Sequence, residues 1–249
     1  MSSIPITMLH LVDDKPPPSL KGWSIDATKF LLFLDCIEDL DLEPTTFEDI
    51  IKDKFKSQKK KVIITFDDCS KSLFDFAIPE LIKRKMKAVF YIPSAYIGKH
   101  NIWDVEEQNF DKFELFNEQQ LLYLVANGME IGSHGHKHRR MSQINNVLAI
   151  EEVQESKRVI EQILGKQIYS FSFPYAEIHK NHKKLLKEAG YHFGVSIYTA
   201  FESIYTLRRF SIHQSDDRKS ILFKLTKKYQ FMRKFFDPLL IFKKFLAKM

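Results

Sequence analysis

A chain of 249 residues, 44% of them hydrophobic, is long enough to bury the core of one large α/β domain. Its two cysteines, Cys36 and Cys69, lie far apart, which excludes zinc-ribbon spacing and gives no sign of a disulfide framework. The net charge of +6 is concentrated near the end: from Lys219 to Met249 nine Lys and Arg face the single acid Asp237, a local +8 that leaves residues 1–218 near −2 and offers nucleic acid no basic face.

In chain order, Met1 to Val12 has no cationic region and only a short apolar run, so it matches neither a signal peptide nor a membrane span. Cytoplasmic residence is the expectation. Ile4 to Leu11 reads as a strand containing His10, and Asp13 to Pro18, with three consecutive prolines, as a turn. Asp26 to Leu40 places Phe30, Leu31, Leu34, Ile37 and Leu40 on one face of a helix, with Cys36 in the core. Thr46 to Phe55 predicts a second short helix capped by Thr46, and Lys56 to Lys61 a basic linker. Val62 to Phe66, β-branched and apolar, predicts a strand buried on both faces, and it stops at Asp67 and Asp68.

Helix and strand then alternate. Leu73 to Lys85 predicts a helix and Ala88 to Ile92 a strand closed by Pro93. Asn117 to Asn127 predicts a helix with a capping box to Gln120, followed by the strand Met129 to Ser133. Val147 to Leu164 predicts a long helix burying Ile150, Val153, Ile160, Ile163 and Leu164, then Ile168 to Phe173 a strand. His179 to Ala189 and Tyr191 to Ile197 give one more helix and strand. This alternation predicts a parallel sheet or closed barrel.

Three strand ends carry unusual groups: Asp67 with Asp68, His134 to His138, and Pro174 with Tyr175. Ligands bind at the carboxyl ends of parallel strands, so neighbouring strands would gather all three at one rim. Two adjacent carboxylates persist ionised only if a cation, a donor or a shared proton relieves them. His134 and His138 stand four apart, a spacing that puts both imidazoles on one side of a helical turn, with His136 a bystander. With one of the aspartates they form a two-histidine, one-carboxylate set with open positions, suited to one divalent metal ion such as zinc. Taken singly, adjacent aspartates are turn formers and loop histidines a solvated patch. Trp103 could stack on a ring-shaped ligand or pack in the core.

These residues resemble a known family. Thr65-Phe66-Asp67-Asp68, then Ile131-Gly132-Ser133-His134 with His138 four residues on, then Phe173-Pro174-Tyr175 resembles the polysaccharide deacetylases, the NodB homology domain of carbohydrate esterase family four. The resemblance covers roughly Ile4 to Leu222. It implies a distorted (β/α) barrel of about seven strands and hydrolysis of an N-acetyl group on an amino sugar in a surface polysaccharide or its precursor. It also implies Asp67 as general base, Asp68, His134 and His138 as metal ligands, the Tyr175 amide as oxyanion donor with Pro174 aiming it, and an N-acetylated sugar or oligosaccharide as partner. The opening strand resembles the branch of poly-N-acetylglucosamine deacetylases, in which a histidine, here His10, reaches the site as general acid in preference to His213. The family's third motif often opens with an arginine that orients the base, where this chain has Ser172. Cys69 and Ala176 stand where the family has glycines.

The division expected is a deacetylase-like domain over residues 1–222 and a basic amphipathic tail over 223–249, with Pro238 breaking the tail in two. Residues 229–249 alternate apolar groups with Lys and Arg, which fits either a helix lying at the inner face of an anionic membrane or one packed on the barrel with its lysines in water. Competing readings are a silent metal-containing glycan-binding module, and a hydrolase of a small non-sugar amide.

Overall fold

In the computed structural model of the protein, residues 4–52, 58–197, 199 and 201–246 are described, those after 238 by backbone alone. Six parallel strands form one curled sheet: β2 (Thr65–Asp67), β3 (Val89–Ile92), β4 (Glu130–Ser133), β5 (Ser170–Ser172), β6 (Phe193–Ser196) and β7 (Leu207–Arg208), hydrogen-bonded in that order. The sheet closes through the N-terminal segment. There β1 (Thr7–Met8) pairs in parallel with β8 (Phe210–Ser211), directly beyond β7, while Ile6 bridges to Ile63, just before β2, and Leu9 to Phe66 within it. Seven stretches of chain therefore go round the ring, as the expected seven-stranded distorted barrel requires.

Strand parity decides what fills the ring, since successive side chains point to opposite faces. Val89 and Tyr91 pack inward with Ile6, Ile63, Val195 and Leu207, whereas Phe90 and Ile92 face the helices with Phe66, Phe30 and Leu34. Phe66 and Phe90 stack outside the ring with centroids 5.0 Å apart. The inward set continues towards the strand ends as Asp67, Gly132 and Ser172. Gly132 has no side chain for a local reason: a Cβ there would lie 2.4 Å from the Tyr91 ring.

The helices around the ring follow their caps. Asp26 caps Ala27–Asp39, which buries Phe30, Phe33, Leu34, Cys36 and Ile37, so Phe33 takes the core place expected of Leu31. Thr46 caps Phe47–Ile51, and the expected continuation to Phe55 lies outside the described residues. The capping box of Asn117 with Gln120 starts Glu118–Ala126 as predicted.

Several expectations are corrected. The run from Val62 to Phe66 changes partners midway: Lys61 and Val62 pair with Glu43 and Pro44, and the ladder to β3 starts only at Thr65. Leu73 to Lys85 is a 3-10 turn, Lys71–Phe74, followed by the helix Ala77–Lys83. Val147 to Leu164 is helical but contains a π turn over Glu151–Glu155, which shifts the buried stripe to Ala149, Glu152, Val153, Ser156 and Ile160 and leaves Val147 and Ile150 exposed. Pro238 does not divide the tail, where one helix spans Lys227–Leu246. A proline removes a single helical hydrogen bond, and the preceding residue, Asp237, is buried against Arg208 and Arg233. The closing strands β7 and β8 lie in a stretch for which the sequence pattern predicts no strand.

Candidate metal centre

The strand ends deliver the predicted groups to one place. Asp67 is the last residue of β2, and the chain then turns through Asp68 and Cys69, both at positive φ (65° and 63°). That turn brings the Asp68 carboxylate to the cavity, while the Cys69 thiol is buried with the helix-facing core and donates to the Tyr91 carbonyl at 3.1 Å. Burial pushes that thiol's pKa well up, and the sulfur, engaged with the Tyr91 carbonyl, lies outside the group formed by Asp68, His134 and His138.

His134 follows β4 and donates from Nδ1 to the Ser172 carbonyl at 2.9 Å, which turns Nε2 towards the aspartates. Burial, the largest influence, lowers the His134 pKa to about 4, so the ring is neutral and its Nε2 lone pair free at pH 7. Nε2 of His134 lies 3.5 Å and Nε2 of His138 3.3 Å from Asp68 Oδ1. One ligand atom from each of Asp68, His134 and His138 falls within 4.8 Å of the other two. Asp68 Oδ1 and both His138 ring nitrogens are buried without a hydrogen-bond partner. Orphaned buried polar atoms of this kind are costly unless something satisfies them, and this ligand set fits a divalent cation. Burial opposes the Asp68 charge, but His138, His10 and His134 outweigh it and hold the carboxyl well below the usual carboxylate range.

The histidine loop is not the helical turn that the four-residue spacing predicted. Gly135 sits at φ +80° and His138 at φ 56°, so no helix propagates. The loop is instead wrapped around Glu152, a fully buried carboxylate presented by the π turn, which accepts the N–H groups of His136 at 2.9 Å and Lys137 at 3.0 Å. Gly135 is required there, because a Cβ would lie 2.7 Å from a Glu152 oxygen. His136 turns away to Ser94 at 2.8 Å and is the bystander.

Asp67 stands apart from the ligand set. Its carboxylate takes two hydrogen bonds from the Arg209 guanidinium, both 2.6 Å, and lies 3.8 Å from His134 Nε2. Arg209 also donates to Thr65 Oγ1 and to Ser172 Oγ, at 3.0 and 2.8 Å. Burial works against the Asp67 charge, and Arg209, then His134, more than offset it, so the carboxyl is ionised. The small Ser172 leaves room for this guanidinium. Arg209, between β7 and β8, thus takes up the tethering function expected of an arginine at position 172.

The other predicted residues divide into two groups. His10 and His213 both line the same cavity of about 460 Å3 as the aspartates, with His10 Nε2 3.9 Å from Asp68 Oδ2. Tyr175 follows Pro174 in a left-handed conformation (φ 57°, ψ 14°), and its ring lies 4.6 Å from His138 and under the Arg140 guanidinium at 3.6 Å. Trp103 and Pro174 are not among the residues lining that cavity. Trp103 is buried with its ring 4.6 Å from His138, backing the ligand instead of facing the cavity, and Pro174 is buried 3.5 Å from where a Gly135 Cβ would be. The half-exposed tryptophan on the cavity wall is Trp23, its ring 4.9 Å from His10. Asp104, also on that wall, is a further acid the motifs missed; burial and then the Asp68 charge push it up to about 6.

Comparison with known proteins fits this geometry. The family model for polysaccharide deacetylase matches residues 54–194, more than half of the chain. The chain belongs to the polysaccharide deacetylase family. It is 22% identical over 189 residues to the poly-beta-1,6-N-acetyl-D-glucosamine N-deacetylase of Staphylococcus aureus (strain MRSA252), covering 72% of this chain and 62% of the relative. The protein of that name from Staphylococcus epidermidis is 23% identical, with 72% and 63% covered. The chain thus spans about 62% of the length of the curated relatives it matches. Among solved structures, the Streptococcus pyogenes deacetylase PplD in complex with acetate superposes with a TM-score of 0.75 at 18% identity, covering 90% of this chain and 98% of that one. IcaB from Ammonifex degensii gives 0.71 at 18% identity, with 90% and 97% covered. At these identities the superpositions establish the fold.

Proposed function

We propose that this member of the polysaccharide deacetylase family hydrolyses N-acetyl groups on an amino sugar of a surface polysaccharide or its precursor. The names of the staphylococcal relatives support poly-N-acetylglucosamine as the substrate class. The observation that carries the reading is the separation of two adjacent carboxylates into two environments: Asp68 among imidazoles with an orphaned oxygen, and Asp67 held ionised by Arg209 outside the ligand set. Asp68, His134 and His138 would hold a divalent ion, zinc by ligand type, which when bound would polarise the acetyl carbonyl and raise the acidity of water.

The chain's own residues supply the rest. Asp67 takes a proton from attacking water, and Arg209 fixes the carboxylate orientation so that it need not reorganise. The backbone turn at Pro174 and Tyr175 would present the Tyr175 amide to the developing oxyanion. His10, facing Asp68 across the cavity, is placed to return a proton to the leaving amine; His213 on the same wall is the alternative donor. The silent-module reading drew on Ser172 and on the lack of a late leucine-histidine motif; the hydrogen bonds of Arg209 to Asp67 speak against the first of these grounds. The test is acetate release from N-acetylglucosamine oligomers by metal-loaded protein. Activity that disappears in Asp67→Asn while metal content is kept supports the proposal; no release from any amino-sugar oligomer overturns it.

A further inference from the structure

The helix Lys227–Leu246 leaves aromatic side chains uncovered. Its inner face is fastened to the barrel. Arg233 donates to the carbonyls of Ile197 at 2.6 Å and Arg209 at 3.2 Å, both residues on the cavity wall, and Asp237 is fully buried between Arg233 and Arg208. Arg208 also holds the Thr199 carbonyl at 3.0 Å, so the loop leading to Phe201 is anchored to the same cluster. On the far side Phe231 and Phe235, one helical turn apart with rings 5.1 Å from each other, are both 60% exposed; Phe236 on the helix flank is 51% exposed, and Phe201, in the anchored loop, is 88% exposed. Water-facing phenylalanines in such a group mark a binding surface. Lys227, Lys228 and Lys234 are exposed along the same helix, and its one acid, Asp237, is turned inward.

We propose that this face, with Phe201, seats the protein on an anionic lipid surface. Aromatic groups enter the interface while lysines meet acidic headgroups, the chemistry of an interfacial amphipathic helix. Among the described residues no helix is long and apolar enough to cross a membrane, which is consistent with a helix that lies on it. Charge decides against a second copy as occupant: two such faces would bring lysines against lysines, whereas anionic lipid neutralises them. In sequence the helical spacing continues with Phe242 and Phe245, and the basic excess with Lys243 and Lys244. The proposal does not depend on the activity, because its test reads binding.

The experiment is flotation of the full chain with phosphatidylcholine vesicles, with and without phosphatidylglycerol. The wild type is expected to float with the anionic vesicles only and to be released by high salt. Phe231→Ser with Phe235→Ser should weaken partitioning about tenfold or more. Lys228→Glu with Lys234→Glu, a change confined to exposed charge, should do the same without touching the fold. Equal flotation with neutral vesicles, no flotation with either, unchanged binding by the lysine variant, or a dimer dissociated by the phenylalanine changes would each overturn the proposal.

Discussion

The two ends of β4 lie only a few residues apart and are finished in opposite ways. At its start, Glu130 is buried, and its oxygens accept the Glu48 N–H at 2.7 Å and the Ser170 hydroxyl at 3.2 Å. Just past its other end, His134 looks onto Asp68 Oδ1 and His138 Nε2, buried atoms with no partner of their own. One end is a closed polar joint between the barrel floor and the helix Phe47–Ile51. The other is a set of acceptors converging on one point. The contrast separates a polar group kept for architecture from one kept for a ligand: the first is satisfied by its own chain, the second is not.

The largest effect is expected where the open end meets the base. Asp67→Asn should lower acetate release by about a thousandfold or more at unchanged metal content, measured by steady-state assay and elemental analysis of the same preparation. Next is Arg209→Met, which strands a buried carboxylate. A loss of about 3–5 kcal/mol in urea unfolding is expected. With the guanidinium gone, the Asp67 pKa rises, so the acid limb of the activity profile should move to higher pH, and Arg209→Lys should restore part of that shift. A stability loss without any movement of the profile would make Arg209 purely structural.

The motifs showed only part of this site. The segment from Thr65 to Asp68 and the two histidines were legible because each ends an apolar run at a strand terminus, and parallel βα alternation brings such termini to one rim. Arg209 was not, since its partner is 142 residues away in sequence and nothing local to Leu207-Arg208-Arg209-Phe210 names it. The signal that could have found it is strand alternation through that stretch, with an arginine at an inward position. Glu152 was hidden by the assumption of an unbroken α-helix: the π turn changes the phase, and a carboxylate beside Val153 falls on the buried face. The spacing of His134 and His138 suggests a helical turn because periodicity cannot register a loop organised around a distant acid.

Glu152→Ala should sharpen the contrast from the loop side. It frees the N–H groups of His136 and Lys137 and loosens His138, so zinc affinity measured by competition titration should fall by roughly tenfold to a hundredfold, with the fold kept. The smallest expected effect on activity belongs to the closed end. Burial pushes the Glu130 carboxyl up to about 7 from its ordinary 4.5. Its folded-state value is above its unfolded one, so its contribution to stability is fully present below about 4.5 and is lost as pH rises through about 7. The loss is on the order of 3 kcal/mol. Glu130→Gln should flatten the pH dependence of the melting temperature over that range and leave metal affinity and turnover near wild type.

The account rests most heavily on Asp68, His134 and His138 meeting at a single ion. Equilibrium dialysis against zinc followed by elemental analysis tests this directly, comparing wild type, Asp68→Asn, His138→Ala and Glu130→Gln. One ion per chain in the wild type and in Glu130→Gln, with loss of the ion in the other two, is the predicted result. Full occupancy retained in both Asp68→Asn and His138→Ala would contradict it.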